Sequence, residues 1–116
     1  MLENGKTMQN KTFSVSNSEA FILGQLINLG LRETFGLELV ESSNGQLKKG
    51  SIYVLLRRME DKGYVTSRKE KQRPNFRGLP RRMYKITGCG ELAFKNELDR
   101  INQLMQFGRV NGAHFA

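Results

Sequence analysis

Apolar positions along the chain recur first at helical and then at strand spacing. Between Lys48 and Gly63, Ile52, Leu55, Leu56 and Met59 fall at i, i+3, i+4 and i+7, a single stripe on an α-helix. The far side of that helix carries Gly50, Val54, Arg57 and Asp61, flanked by Ser51, Tyr53 and Arg58, and Gly63 is a stop signal. Upstream, Ser16-Asn17-Ser18-Glu19 reads as a helix start, with cap-type residues followed by an acid in the first turn. The helix it opens carries Phe21, Ile22, Leu23, Leu26, Ile27 and Leu29 and ends at Gly30. It is apolar on more than one side, which predicts a central place in the core or a face shared with a second chain. A shorter helix is predicted from about Thr34 to Ser43, with Phe35, Leu39 and Val40 inward. Ser42-Ser43-Asn44-Gly45 then makes a turn, and Leu47 returns the chain to the core.

After Gly63 the period changes to two. Residues 64–69 and 81–87 alternate and are rich in β-branched or aromatic side chains, so they predict two strands, with Tyr84 and Ile86 on one face. Pro74, Gly78 and Pro80 exclude regular structure between them and leave a long basic loop. The last helix is predicted from Glu91 to about Gly108. Its Phe94, Leu98, Ile101 and Met105 are spaced like a two-heptad seam, with Leu104 beside it. Short helices, a turn and an amphipathic basic helix followed by a hairpin make a winged helix-turn-helix. The fold class is therefore mainly α with a small β-hairpin, plus a C-terminal helix that packs on its own domain or, as a dimerisation helix, on a second copy. Residues 1–15 read as a flexible arm bearing Lys6 and Lys11, 16–88 as the winged domain, 89–108 as the dimerisation helix and 109–116 as a tail.

Charge sharpens this picture. The net charge of the 116 residues is +8, and 13 of the 19 Lys/Arg but only 3 of the 11 Asp/Glu lie between Gln46 and Lys85. A polyanion is the natural partner of such a field, because each neutralised phosphate releases counterions. Other chemistry lacks parts. The one histidine, His114, is in the tail, and Cys89 is the one cysteine, so it cannot form an internal disulfide and sits in no sequence motif for zinc or nucleophilic work. No phosphate-binding glycine loop follows a strand. No enzyme, no cofactor and no metal is expected. Without a long apolar segment, a cytoplasmic location and no membrane partner are expected.

In this order and spacing, Phe35-Gly36-Leu37-Glu38-Leu39, Gly50-Ser51-Ile52-Tyr53, Leu56-Arg57-Arg58-Met59-Glu60, Gly63-Tyr64-Val65, Arg81-Arg82-Met83-Tyr84-Lys85-Ile86-Thr87 and Gly90 resemble the PadR family of bacterial transcriptional regulators, specifically its short members with one C-terminal helix. The resemblance covers roughly Ser18 to Phe107. It implies a homodimer that represses transcription, with recognition helices entering successive major grooves of a near-palindromic operator. Carried onto this chain, the groove-facing positions are Lys49, Gly50, Ser51, Tyr53, Val54 and Arg57, and the wing positions are Lys71, Arg73, Arg77 and Arg81. The chain departs from the family at Lys48-Lys49, where a Ser/Thr-Pro pair is common. Those lysines put cations at the positive end of the helix dipole, a cost that a DNA phosphate would offset, so both join the DNA-binding set. Some members bind flat aromatic drugs between tryptophans; this chain has no Trp, and any small-molecule effector is unidentified.

Several roles stay open in the sequence. Tyr53 could touch DNA or pack at the edge of the core. Arg57 is the leading candidate for a base or phosphate contact, since arginine grips guanine bidentately. The wing arginines suit phosphates or the minor groove. Phe94, Leu98, Ile101, Leu104 and Met105 suit a dimer seam or core better than a ligand pocket. The expected partners are double-stranded DNA and a second copy of the chain. A protein-interaction winged helix that does not bind DNA, and a replication or partition initiator of a mobile element, are the competing functions.

Overall fold

The computed structural model describes residues 13–30, 32–71 and 80–110. In chain order these form α1 (Asn17–Leu29), β1 (Thr34–Phe35), α2 (Gly36–Glu41), α3 (Ile52–Asp61), β2 (Val65–Lys69), β3 (Arg82–Ile86) and α4 (Gly88–Val110). The expected wing tip, with Arg73 and Arg77, lies outside the described residues, as do Lys6, Lys11 and His114.

The start of α1 is the one the sequence signals. Ser16 Oγ accepts from Glu19 N–H at 3.2 Å, and Glu19 Oε1 accepts from Ser16 N–H at 2.9 Å, so each residue satisfies a backbone donor of the other. α1 fills the centre of the core with Ile22, Leu23 and Leu26. Around them pack Leu39 of α2, Leu47, Ile52, Leu56 and Met59 of α3, Tyr64, Val65, Tyr84 and Ala93. Phe21 and Ile27 on the same helix stay partly exposed, which meets the expectation of a second apolar side.

The predicted helix at 34–43 begins two residues late. Thr34 and Phe35 are extended and pair antiparallel with β3, Thr34 opposite Tyr84 and Phe35 opposite Met83. The hairpin is therefore a three-stranded sheet in the order β1-β3-β2. Backbone hydrogen bonds to β3 outweigh a helical turn for a β-branched and an aromatic residue. At the other end, buried Ser43 stops α2. Its hydroxyl donates to Val40 O at 2.7 Å and accepts from Leu47 N–H at 3.0 Å.

Residues 13–15, expected in the arm, are held against the fold. Ser14 N–H donates to the Tyr64 hydroxyl, and that hydroxyl donates to Ser14 O, both at 3.1 Å. Phe13 and Val15 rest on the core.

α4 starts on Thr87, whose Oγ1 accepts from Gly90 N–H at 2.9 Å and donates to Gly63 O at 2.6 Å. Gly90 is required by close approach, since a Cβ there would lie 2.3 Å from Tyr64 O. The rim of the sheet is tied by Arg68, which donates from Nε to Glu33 Oε2 at 2.9 Å and from Nη2 to Glu33 Oε1 at 2.6 Å. That pair joins β2 to the residues ahead of β1.

Two outcomes test this packing. Alanine exceeds glycine in helix propensity by about 1 kcal/mol, yet Gly90→Ala should cost about 1–3 kcal/mol because its methyl meets backbone. Gly88→Ala has nothing within 4 Å of the new methyl and should lose no stability in the same thermal melt. A raised melting temperature for Gly90→Ala would contradict the contact. The Arg68 hydrogen bond holds the Glu33 carboxyl below its ordinary value of 4.5. Its contribution to stability is thus present above that value and lost as pH falls through the lower, folded one. Carboxyl NMR should find the Glu33 midpoint below the normal glutamate range, and Arg68→Ala should bring it back up.

Candidate nucleic-acid interface

α3 is inward on one side and open on the other. Ile52, Leu56 and Met59 are fully buried, and Leu55 is half-buried against the same core. Lys48, Lys49, Gly50, Ser51, Tyr53, Val54 and Arg57 are all exposed, and the structure brings Tyr53 and Arg57 together in one cleft. Among the described residues, Lys48, Lys49 and Arg57 make no ion pair.

The start of α3 lacks a side-chain cap and has no acid in its first turn. Ser51 N–H and Ile52 N–H both donate to Lys48 O, at 3.2 and 3.0 Å, which closes the turn before the helix. Exposed cations thus stand at the positive end of a helix dipole, as the sequence suggested. Tyr53 packs at the edge of the fold and keeps an open side. Its ring lies so close to Gly36 that a Cβ there would be 2.7 Å from it, yet the side chain remains 48% exposed.

The far end of α3 is fastened more firmly. Gly63 N–H donates to Glu60 O and Tyr64 N–H to Met59 O, both at 2.9 Å, with Gly63 at φ +83°, a Schellman stop. The Lys62 ammonium donates to both carboxylate oxygens of Glu19 at 3.0 Å and to Ser14 O at 2.8 Å. Glu19 is only 1% exposed, so an ion pair locks the end of α3 to the start of α1. Nothing in the sequence announces this pair, because its members are 43 residues apart.

The wing candidates divide. Lys71 is exposed beside the hairpin, while Arg73 and Arg77 fall outside the described residues. Arg81, expected among the DNA contacts, is half-buried and paired with a carboxylate. It donates from Nε to Glu70 Oε1 at 2.9 Å and from Nη2 to Glu70 Oε2 at 2.6 Å, with its guanidinium 4.1 Å above the Phe35 ring. The bond to Glu70 raises the Arg81 pKa further. Arg82, which the sequence reading passed over, is exposed, and its Nη1 donates to Ser67 Oγ at 2.9 Å. Ser67 Oγ in turn donates to Glu60 Oε2 at 2.8 Å. Arg82 lines an open cleft of about 510 Å³ with Tyr53, Arg57, Glu60 and Tyr84. Burial raises the Tyr84 hydroxyl pKa above its ordinary value.

The seam residues of α4 also divide. Phe94 is half-buried beside Gly24 of α1, where a Cβ would sit 3.5 Å from its ring. Leu98, Ile101, Leu104 and Met105 are exposed, the least so being Ile101 at 41%. Phe94 joins Ala20, Phe21, Gly24 and Ile27 along an apolar groove of about 580 Å³. Among the described residues no cluster of acids, His or Cys suits a metal ion, and no helix is long and apolar enough to cross a membrane.

Comparison with known proteins agrees with this architecture. A PadR family transcription regulator from Clostridium difficile superposes with a TM-score of 0.64 at 20% identity, covering 81% of this chain and 96% of that one. A PadR family regulator from Eggerthella lenta gives 0.61 at 21% identity, over 82% and 81%. Bacillus subtilis PadR, solved in complex with operator DNA, gives 0.55 at 27% identity, over 68% of this chain and 45% of that one. No curated protein sequence matches the chain. The sequence profile described as the transcriptional regulator PadR-like family matches residues 26–96, from the last turn of α1 into α4, and the chain belongs to that family.

Proposed function

We propose that this regulator binds double-stranded DNA sequence-specifically as a homodimer and represses transcription by occupying a near-palindromic operator. The observation that carries the reading is the two-sidedness of α3. Its inner face is fixed in the core by Ile52, Leu56 and Met59, while Gly50, Ser51, Tyr53, Val54 and Arg57, like Lys48 and Lys49, are exposed. A helix of that width enters a major groove, where base edges can be distinguished. Lys48 and Lys49 would meet a phosphate at the helix start, and Arg57 would reach a base. Lys71, Arg73 and Arg77 would add phosphate contacts from the wing. Support from a relative comes from the Bacillus subtilis PadR complex with operator DNA.

The second copy is supported by exposed apolar surface. Leu98, Ile101, Leu104 and Met105 recur at helical spacing along α4 and are all exposed. Phe21 and Ile27 of α1 are partly exposed beside Phe94. Apolar surface of this extent is seldom left in water. Packing α4 against the same helix of another copy would cover it by knobs-into-holes contacts. Two α3 helices held that way would meet half-sites related by the dimer axis, and the bound dimer would exclude polymerase or an activator.

Two outcomes follow. Arg57→Ala should weaken binding to a selected genomic operator by about 1–3 kcal/mol and cost less on random duplex. Equal losses on the two DNAs would mean that Arg57 meets phosphates only. Ile101→Asp should turn the sedimenting species from dimer to monomer in analytical ultracentrifugation. A variant that stays dimeric would place the interface elsewhere.

A further inference from the structure

We propose that Arg82, and not its neighbour Arg81, is the strand residue that grips a DNA phosphate, in the cleft between α3 and β3. This inference rests on the DNA-binding reading above.

The two arginines are adjacent in sequence but differ in what holds them. Arg81 spends two donors on the Glu70 carboxylate and its planar face on Phe35. Arg81 keeps donors on Nη1, but its charge is already set against a carboxylate in a bidentate ion pair, which is among the stronger side-chain pairings. Arg82 is exposed, and among the described residues its hydrogen-bond partner is Ser67 Oγ. A guanidinium has five donors, so most of this fork remains available.

The place also fits. The cleft is walled by Tyr53 and Arg57 on α3 and by Arg82 and Tyr84 on the sheet. Tyr53 and Arg57 belong to the outward face of α3 as well, so the cleft opens directly beside the surface proposed to enter the groove. A major groove is about 12 Å wide and bounded by the two phosphate backbones. A helix lying in it has one backbone passing along its flank, and on this flank stands Arg82.

Glu60 in the same cleft would repel a phosphate if left bare. It accepts from Ser67 Oγ, which accepts from Arg82, so a relay of hydrogen bonds sets the cation against the acid. Ser67 can serve both neighbours because a hydroxyl donates once and accepts as well. Removing Arg82 would take away the phosphate contact and uncover the Glu60 charge.

The test measures the salt dependence of binding to a fluorescein-labelled random-sequence duplex for the full chain. Arg82→Ala should lower the slope of log affinity against log salt by about one and weaken random and operator DNA alike. Arg82→Lys should keep the slope. Glu60→Gln placed in the Arg82→Ala background should recover part of the lost affinity, which a purely structural role for Arg82 would not yield. Arg81→Ala should lower the melting temperature and leave the slope unchanged. If the wild type binds with normal salt dependence and Arg82→Ala has the same slope, or if the slope falls in Arg81→Ala instead, the assignment is overturned while the DNA reading stands. If the wild type shows no salt-dependent affinity for duplex DNA, both are overturned.

Discussion

A ten-residue helix does not hold its shape alone in water, because nucleation costs more than so few hydrogen bonds return. α3 therefore takes its geometry from what it packs on. Ile52, Leu56 and Met59 seat one face in the core. The Schellman turn at Gly63 ends the helix, and the Lys62 ammonium ties that end to the buried Glu19 carboxylate. Glu19 is also half of the capping box that starts α1, so one side chain orders the beginning of the central helix and the end of the exposed one. Losing Lys62 would leave a carboxylate buried without its counter-charge, the costly way to break such a pair. The start of α3 is the opposite case, with no side-chain cap and two exposed lysines. Rigidity is placed at one end and unmet electrostatic potential at the other.

The basic excess between Gln46 and Lys85 is accordingly two populations. Lys62, Arg68 and Arg81 are structural, each set against a carboxylate: Glu19, Glu33 and Glu70. Lys48, Lys49 and Arg57 make no ion pair among the described residues and lie on α3 or in the turn before it. Net charge gives the long-range field, but the local partner decides which cations are left for a polyanion. The acids outside the basic segment gain a role this way. Glu19 and Glu33 lie upstream of it and fix two of its cations in place.

The helices and the hairpin were legible because their signals are local. A capping box spans four residues, the α3 stripe two turns, and a glycine stop one position. What the sequence left unread is non-local. Thr34-Phe35 is too short to show a period of two, and it becomes a strand only because β3 offers an edge. The packing of Arg81 on Phe35 joins residues far apart in sequence, and no local pattern signals it. Arg82 did leave a trace. With Tyr84 and Ile86 read on one face, a period of two puts Arg82 on that face too, beside α3. The expected face of α3 was legible throughout, since the residues that must be buried define by exclusion the ones that cannot be.

α1 links the proposed functions mechanically. It packs on α3, β3 and α4. Its Phe21 and Ile27 lie on the surface that a second copy would cover. The path from reading face to dimer seam therefore runs through packed helices and one ion pair, with no loop in it. Ten residues of α4, from Leu98 to Phe107, rise about 15 Å along the helix axis and are the lever that would engage the partner. Two reading helices meet successive grooves only if they stand about 34 Å apart. In a dimer built on these parts that separation is set by helix lengths and core contacts, which yield little to thermal motion. Half-site spacing would then discriminate between DNA sites as strictly as the bases do.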